Sequence, residues 1–216
     1  VADVLRERIL TGKLPPGTRI KQDELADELR TSRLPVREAL RILESKGLVE
    51  VRSNSGTWVS RMDLHDLTMT YQIRERIEPL LLMDSMPRLG TDQIARMRQV
   101  QTQIESNEDL ETFMLLDRDL HWMTYAGHRT PHLANMIERL WDTTQHYRRE
   151  FAKRMGARGI WAVNAEHRLL IEAIASGDQV SASSVLALHI QRTRLELARH
   201  PELFVPPADG DLPPRG

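Results

Sequence analysis

TSRLPVREALRILESKG, residues Thr31–Gly47, is the stretch from which the fold can be read. Its apolar positions Val36, Leu40 and Leu43, with Ala39 and Ile42 beside them, recur at spacings of three and four, the pattern of a helix with one buried face. Arg33, Arg37 and Arg41 repeat every four residues on a different face. A helix with an apolar back and a basic front is suited to lie against a polyanion, although a charged stripe of this kind also serves as a plain solvated face.

The flanks favour the first alternative. Upstream, Val4, Leu5, Ile9 and Leu10 predict a helix within Val1–Thr11, and Gly12 stands where a C-terminal glycine belongs. Leu14-Pro15-Pro16-Gly17 breaks the chain, and Gln22–Leu29, with Leu25, Ala26 and Leu29 on one face, predicts a second helix. Arg30–Ser32 is then a short turn, giving a helix-turn-helix whose latter helix enters the major groove of DNA. Thr31 or Ser32 can cap that helix, and Pro35 suits its first turn. Downstream, Leu48–Arg52 and Thr57–Ser60 are short runs around Ser53-Asn54-Ser55-Gly56, which predicts a small hairpin, the wing of a winged helix.

With 216 residues the chain exceeds the common single-domain size. Lys plus Arg number 30 against 31 for Asp plus Glu, so net charge favours neither nucleic acid nor membrane and any basic surface must be local. There is no Cys, which excludes disulfides and thiolate metal sites and fits a reducing compartment. No run of about 18 apolar residues suggests a membrane span. The expected location is the cytoplasm, on the nucleoid when bound to DNA. P-loop, dinucleotide-glycine and internal-repeat patterns are missing from the sequence.

From Asp63 onward the pattern is helical: Asp63–Met86, Asp92–Ser106, Leu110–Ala126, Pro131–Lys153, Trp161–Ala175 and Gln179–His200, joined by short turn-rich breaks. The predicted fold is mainly α. A winged helix-turn-helix over residues 1–62, with three helices and a hairpin wing, precedes an antiparallel all-α bundle of six or seven helices over 63–200. Residues 201–216, rich in Pro and Gly, are expected to be a disordered tail.

Asp117 and His121 share an apolar stripe with Leu110, Phe113, Met114 and Thr124, so both point inward. A core carboxylate costs several kcal/mol unless it is paired or bound to a cation, and residues one turn apart can ligate one ion. His167 lies on a stripe with Leu170, Ile171 and Ile174, and His189 on one with Ala182, Val185 and Thr193. Each taken singly fits a hydrogen-bonded core histidine; together, one Asp and three His facing inward suggest a metal site. His65, His128, His132, His146 and His200 are expected at the surface, and Trp122, Trp141, Trp161 and Tyr147 in packing.

PPGTRI, ELADEL, SRLPVREALRILESKGLVEV and the wing Gly56 resemble the N-terminal domain of the GntR superfamily of bacterial transcription regulators. The resemblance implies winged-helix binding to double-stranded operator DNA. Arg33 and Arg37 would contact guanine edges and phosphates, Ser32 a phosphate, and Asn54 to Gly56 the minor groove; Arg's planar fork matches guanine O6 and N7. Asp23 departs from the family pattern, standing where relatives carry a DNA-contacting Arg, and Arg30-Thr31 replaces a common Gly-Val. Asp117-x-x-x-His121, the E-H-x-x-L around His167 and His189 in LALHI are similar to the FCD ligand-sensing domain of the FadR-like subfamily. That implies a divalent transition metal on Asp117, His121, His167 and His189, with zinc expected and nickel, iron or manganese equally suited to such ligands.

The sequence thus predicts a homodimeric regulator, a repressor, that binds operator DNA and senses a small carboxylic or sugar acid at the metal, with no membrane partner. Arg74, in R-E-R-I-E, resembles an R-x-x-L-E motif and is a candidate charge partner for the acid; an ion pair with Glu78 one turn on is the alternative. Rivals are a metal-responsive regulator and a metal-dependent enzyme, the latter lacking any evident general base or nucleophile.

Overall fold

In the computed structural model, which describes residues 1–52 and 56–204, the N-terminal unit forms around three helices, α1 (Ala2–Leu10), α2 (Gln22–Glu28) and α3 (Arg33–Ser45). Val36, Ala39, Leu40 and Leu43 of α3 are buried against Leu5 and Ile9 of α1 and Leu25 and Ala26 of α2. Ile42, expected beside that stripe, is instead exposed. At 100° per residue it lies about 200° from Leu40, on the far side of the helix.

Three strands complete the unit: β1 (Arg19–Ile20), β2 (Val49–Arg52) and β3 (Gly56–Val59), antiparallel in the order β1-β3-β2. The β2–β3 hairpin is the expected wing, with Arg52 opposite Gly56. β1 was not legible, because two residues carry no alternation.

The turn between α2 and α3 fixes the angle of the third helix. Thr31 N–H donates to the Ala26 carbonyl at 2.9 Å and Arg30 N–H to that of Asp27 at 3.2 Å, the Schellman pair that closes a helix end. α3 ends the same way: Leu48 N–H reaches the Leu43 carbonyl at 2.9 Å and Gly47 N–H that of Glu44 at 2.8 Å. Gly47 has φ 75° without penalty, whereas Arg30 is held at φ 50° with a Cβ that the left-handed region disfavours.

Six α-helices follow among the described residues: α4 (Leu64–Ser85), α5 (Thr91–Ser106), α6 (Leu110–Thr124), α7 (Pro131–Ala152), α8 (Ala157–Ala175) and α9 (Gln179–Ala198). α4 packs on α9 and α7, α9 on α8, and α5 on α6 and α8. The shared core includes Tyr71, Leu82, Trp141, Ile171 and Leu186. α8 starts four residues before the expected Trp161, with Gly159 inside it. One helical glycine costs only about 0.5–1 kcal/mol and does not by itself end a helix.

The expected tail needs a correction at its start. Pro201–Phe204 forms a 3-10 turn, and the Phe204 ring stacks on Tyr147 with centroids 5.1 Å apart. The remainder, 205–216, lies outside the described residues.

The two units are tied together. In the connecting segment the Met62 N–H donates to the Tyr147 hydroxyl at 2.6 Å, and that hydroxyl donates to the Met62 carbonyl at 2.9 Å. Arg6 of α1 reaches buried Asp142 of α7 with two hydrogen bonds of 2.9 Å.

Arg30→Gly should relieve the left-handed strain and, net of the extra freedom glycine gives the unfolded chain, stabilise the protein by about 0.5–1 kcal/mol in urea denaturation. Destabilisation would mean that the Arg30 side chain contributes more than its backbone costs.

Candidate DNA-reading face and metal centre

α3 presents its basic side to solvent. Ser32 holds the N-cap position with extended backbone, but its hydroxyl makes no capping bond. Arg33 is exposed and its Nε lies 2.5 Å from Asp23 Oδ1, so the residue that departs from the family pattern pairs with an arginine expected to contact DNA. Arg37 is exposed without an ion pair among the described residues, and Arg41 pairs with Glu38 at 3.2 Å. Gly56 opens β3 at φ 94°; Asn54 lies outside the described residues. Arg19 and Arg52, which sequence reading did not single out, flank Trp58 at 5.7 Å each beside the wing.

In the bundle, His121 of α6, His167 of α8 and His189 of α9 converge. One ring nitrogen from each lies within 4.8 Å of the others, and all three residues are buried. Ring centroids are 5.0–5.3 Å apart. His167 Nδ1 is 2.9 Å from Gln101 Oε1 and His189 Nδ1 is 2.8 Å from Glu166 Oε2. These contacts orient the two rings and direct each Nε2 away from its polar partner.

What stands out is what is unsatisfied. Both nitrogens of His121 and Nε2 of His167 are buried with no hydrogen-bond partner among the described residues. An unmet buried polar group costs about 1–3 kcal/mol, and an ion shared by three imidazoles would take up His167 Nε2 and one of the two His121 nitrogens. The donor set therefore fits a divalent transition metal.

Burial and neighbouring charge keep the His121 and His167 rings in the ligating form. Burial, reinforced by His189 and His167, holds His121 well below the ordinary imidazole value. Burial and then His189 hold His167 at about 4 despite Asp117. Burial would raise Glu166, but hydrogen bonds from His189 and Arg192 outweigh it and leave the carboxyl at about 2. Neutral imidazole beside ionised carboxylate is what a cation requires.

Asp117 stands at the edge of the triad. Its Oδ1 is 3.5 Å from His167 Nε2, and its Oδ2 engages Arg148. Arg148, which sequence reading missed, is partly buried on α7 and lies 4.1 Å over the Trp141 ring. The signal was its spacing from Trp141 and Thr144 on the inward stripe of α7. A cavity of about 40 Å³, room for a few waters, touches Asp117, Arg148, His189 and Thr193.

Arg74 does not line that cavity. Its Nε donates to Glu78 Oε1 at 2.5 Å, and its guanidinium lies between the rings of Tyr71 and Trp141 at 4.8 and 4.5 Å. Of the two readings of Arg74, the ion pair with Glu78 is the one seen, and Arg148 is the arginine at the site. Two further expectations change. His146 lies within α7, half-buried, with burial lowering its pKa. Trp161 is 70 % exposed, while Trp141 and Tyr147 are buried.

Residues 1–59 match the model of bacterial regulatory proteins of the gntR family, and residues 69–192 match the FCD domain. The chain belongs to the GntR family. This GntR-family protein is 31% identical over 211 residues to an HTH-type transcriptional regulator in an unstable DNA locus of Streptomyces ambofaciens, covering 93% of this chain and 86% of that one. It is 24% identical to the HTH-type transcriptional repressor GlaR of Escherichia coli, over 86% of this chain and 89% of that one. Among solved structures, E. coli McbR/YncC superposes with a TM-score of 0.79 at 23% identity, covering 92% and 95% of the two chains. The family is one of transcription regulators rather than enzymes. No helix among the described residues is long and apolar enough to cross a membrane.

The metal-free GntR protein should lose stability as pH falls. With His167 at about 4 in the folded state against an ordinary 6.5, the unfolded chain binds a proton between those values that the folded chain does not. Stability is therefore full above 6.5 and declines toward 4. Thermal denaturation of chelator-treated protein across that window reads the decline, and His167→Gln should make it shallower. A melting temperature independent of pH over this range would contradict the assignment.

Proposed function

We infer that this GntR-family regulator binds a pseudo-palindromic operator as a homodimer and represses transcription from the nucleoid in the cytoplasm. Its operator affinity changes when a small carboxylic or sugar acid binds beside a divalent metal, zinc, held by Asp117, His121, His167 and His189. The observation that carries the regulatory half of this reading is the pair of unsatisfied nitrogens on buried His121. His128 and His146 each leave one buried nitrogen unmet as well, and His121 differs from them in leaving both unmet while facing His167 and His189. The cavity between His189, Asp117 and Arg148 supports a carboxylate as the effector group, because Arg148 would supply a fork for it beside the residues that would hold the metal. Phe113, Phe151 and Met155 form its apolar wall and must yield to admit more than the carboxylate head.

The output side rests on Arg33 and Arg37, with Ser32, Asn54 and Gly56 as accessory contacts. A single winged helix makes few base contacts, and joining two half-sites through a dimer raises both affinity and specificity. Asp23 tempers the face: it holds Arg33 by 2.5 Å and faces the phosphates with a like charge. The repressor reading draws on the relative from E. coli that is named as one.

Arg37→Ala should weaken specific operator binding by about 1–3 kcal/mol while helix content and metal content stay unchanged; undiminished affinity would remove α3 from the reading role. Asp23→Asn should act oppositely, tightening binding and steepening its salt dependence. Titrating operator binding with zinc at fixed acid, and with a panel of small carboxylic and sugar acids at fixed zinc, separates effector from cofactor. Switching by zinc alone, with acids inert, would make the protein a metal-responsive regulator instead.

A further inference from the structure

We propose that the cleft where the end of α7, the start of α8 and the end of α9 meet binds a small aromatic phosphate, and that its occupancy tightens metal binding at the three histidines through Arg192 and Glu166. The cleft has a volume of about 610 Å³, within the range of small-molecule sites. It is separate from the 40 Å³ cavity at the histidines, sharing only the Phe151 and Met155 walls with it.

Its lining is strongly cationic. Arg154, Arg158, Arg192 and Arg199 face it against one carboxylate, Glu196. Arg154 and Arg199, just past the ends of α7 and α9, are held by carboxylates of those helices, Glu150 at 3.1 Å and Glu196 at 2.6 Å. Arg158 is exposed and makes no ion pair among the described residues. Arg154, Arg192 and Arg199 each keep a carboxylate partner, so the uncompensated charge in the cleft is that of Arg158, and an anion with several acceptor oxygens can pair with it while accepting from the remaining N–H groups of its neighbours. Phosphate meets that description with its several equivalent oxygens.

Trp161 sets the rest of the ligand. It lines the same cleft and is 70 % exposed, on a bundle whose other described tryptophans are covered to a far greater extent. A large flat apolar face beside arginines suits a planar ring stacked on it, with the ring's phosphate among the guanidinium groups.

Arg192 connects this cleft to the histidines. Its Nε and Nη2 each lie 2.6 Å from an oxygen of Glu166, and Glu166 Oε2 is 2.8 Å from His189 Nδ1. An anion that draws Arg192 toward itself leaves the Glu166 carboxylate to His189 alone. The carboxylate then accepts more strongly from the Nδ1 proton, which makes Nε2 a better donor to a metal. Linkage requires the reverse effect, so that metal tightens the anion by the same factor.

Calorimetric titration of zinc-loaded protein with phenyl phosphate, at physiological ionic strength, tests the site. Saturable binding of one molecule per chain is expected, with phenol inert, benzoate weaker, and Arg158→Ala and Arg199→Ala each weakening phenyl phosphate by about fivefold or more. Zinc affinity, read by competition with a chromophoric chelator, should rise about fivefold at saturating phenyl phosphate, and this rise should vanish in Glu166→Gln whatever that variant's own zinc affinity. Lack of saturable binding, binding that survives both arginine substitutions, or benzoate binding as tightly as phenyl phosphate would overturn the ligand assignment. Zinc affinity indifferent to bound phenyl phosphate would overturn the connection to the histidines.

Discussion

One buried carboxylate joins the two halves of this molecule. Asp142 of α7 is almost wholly removed from solvent and is met by Arg6 of α1, and Arg118 Nη1 of α6 lies 3.0 Å away. A charge in that position is tolerable only while its partners stay, since stripping one from a buried pair costs about 3–5 kcal/mol. The winged helix is therefore held against the bundle by a group that also touches α6, the helix of Asp117 and His121. α7 in turn carries Arg148, which grips Asp117, and Tyr147, which pins Met62 in the connecting segment. Arg118, the neighbour of Asp117 on α6, thus shares Asp142 with Arg6.

Two buried polar clusters lie side by side in the bundle and differ in a way that separates architecture from function. Around Glu78 the account is complete: Arg74 and Trp141 donate to Oε1 at 2.5 and 3.1 Å, and the Tyr125 hydroxyl donates to Oε2 at 2.7 Å. Such a satisfied network fixes α4 against α6 and α7 and asks for nothing more. Around His121 the account is open: a nitrogen from each of three imidazoles lies within 4.8 Å of the others, and neither His121 nitrogen has a hydrogen-bond partner among the described residues. Packing alone would not retain that arrangement, because replacing one of the rings by leucine would remove the unmet groups.

Much of the fold was legible because periodicity records burial. The stripe Val36, Leu40, Leu43 and the inward Asp117 and His121 follow from spacing within one helix, and both faces are where that spacing puts them. Contacts between distant segments leave no local trace. Arg6 and Asp142 are 136 residues apart, and His167 and Gln101 are 66 apart, so neither pairing could be read from either residue's surroundings. Arg74 illustrates the limit: its spacing from Glu78 permitted an ion pair and a ligand role alike, and the choice depends on Trp141 and Tyr125 approaching from other helices. The glycine-bearing start of α8 misled for a different reason, since glycine marks permission to turn rather than an instruction to do so.

In the proposed function, occupation of the histidine site reaches α3 through α6, α7 and Asp142. Arg6→Ala cuts that chain at its last link without touching the histidines or the reading face. The most direct measurement is operator affinity of zinc-loaded and chelator-stripped protein, in wild type and in Arg6→Ala, with zinc content assayed alongside. The account predicts that the wild-type affinity depends on loading, that Arg6→Ala binds zinc normally, and that its operator affinity no longer follows loading. Equal dependence in both proteins would contradict it.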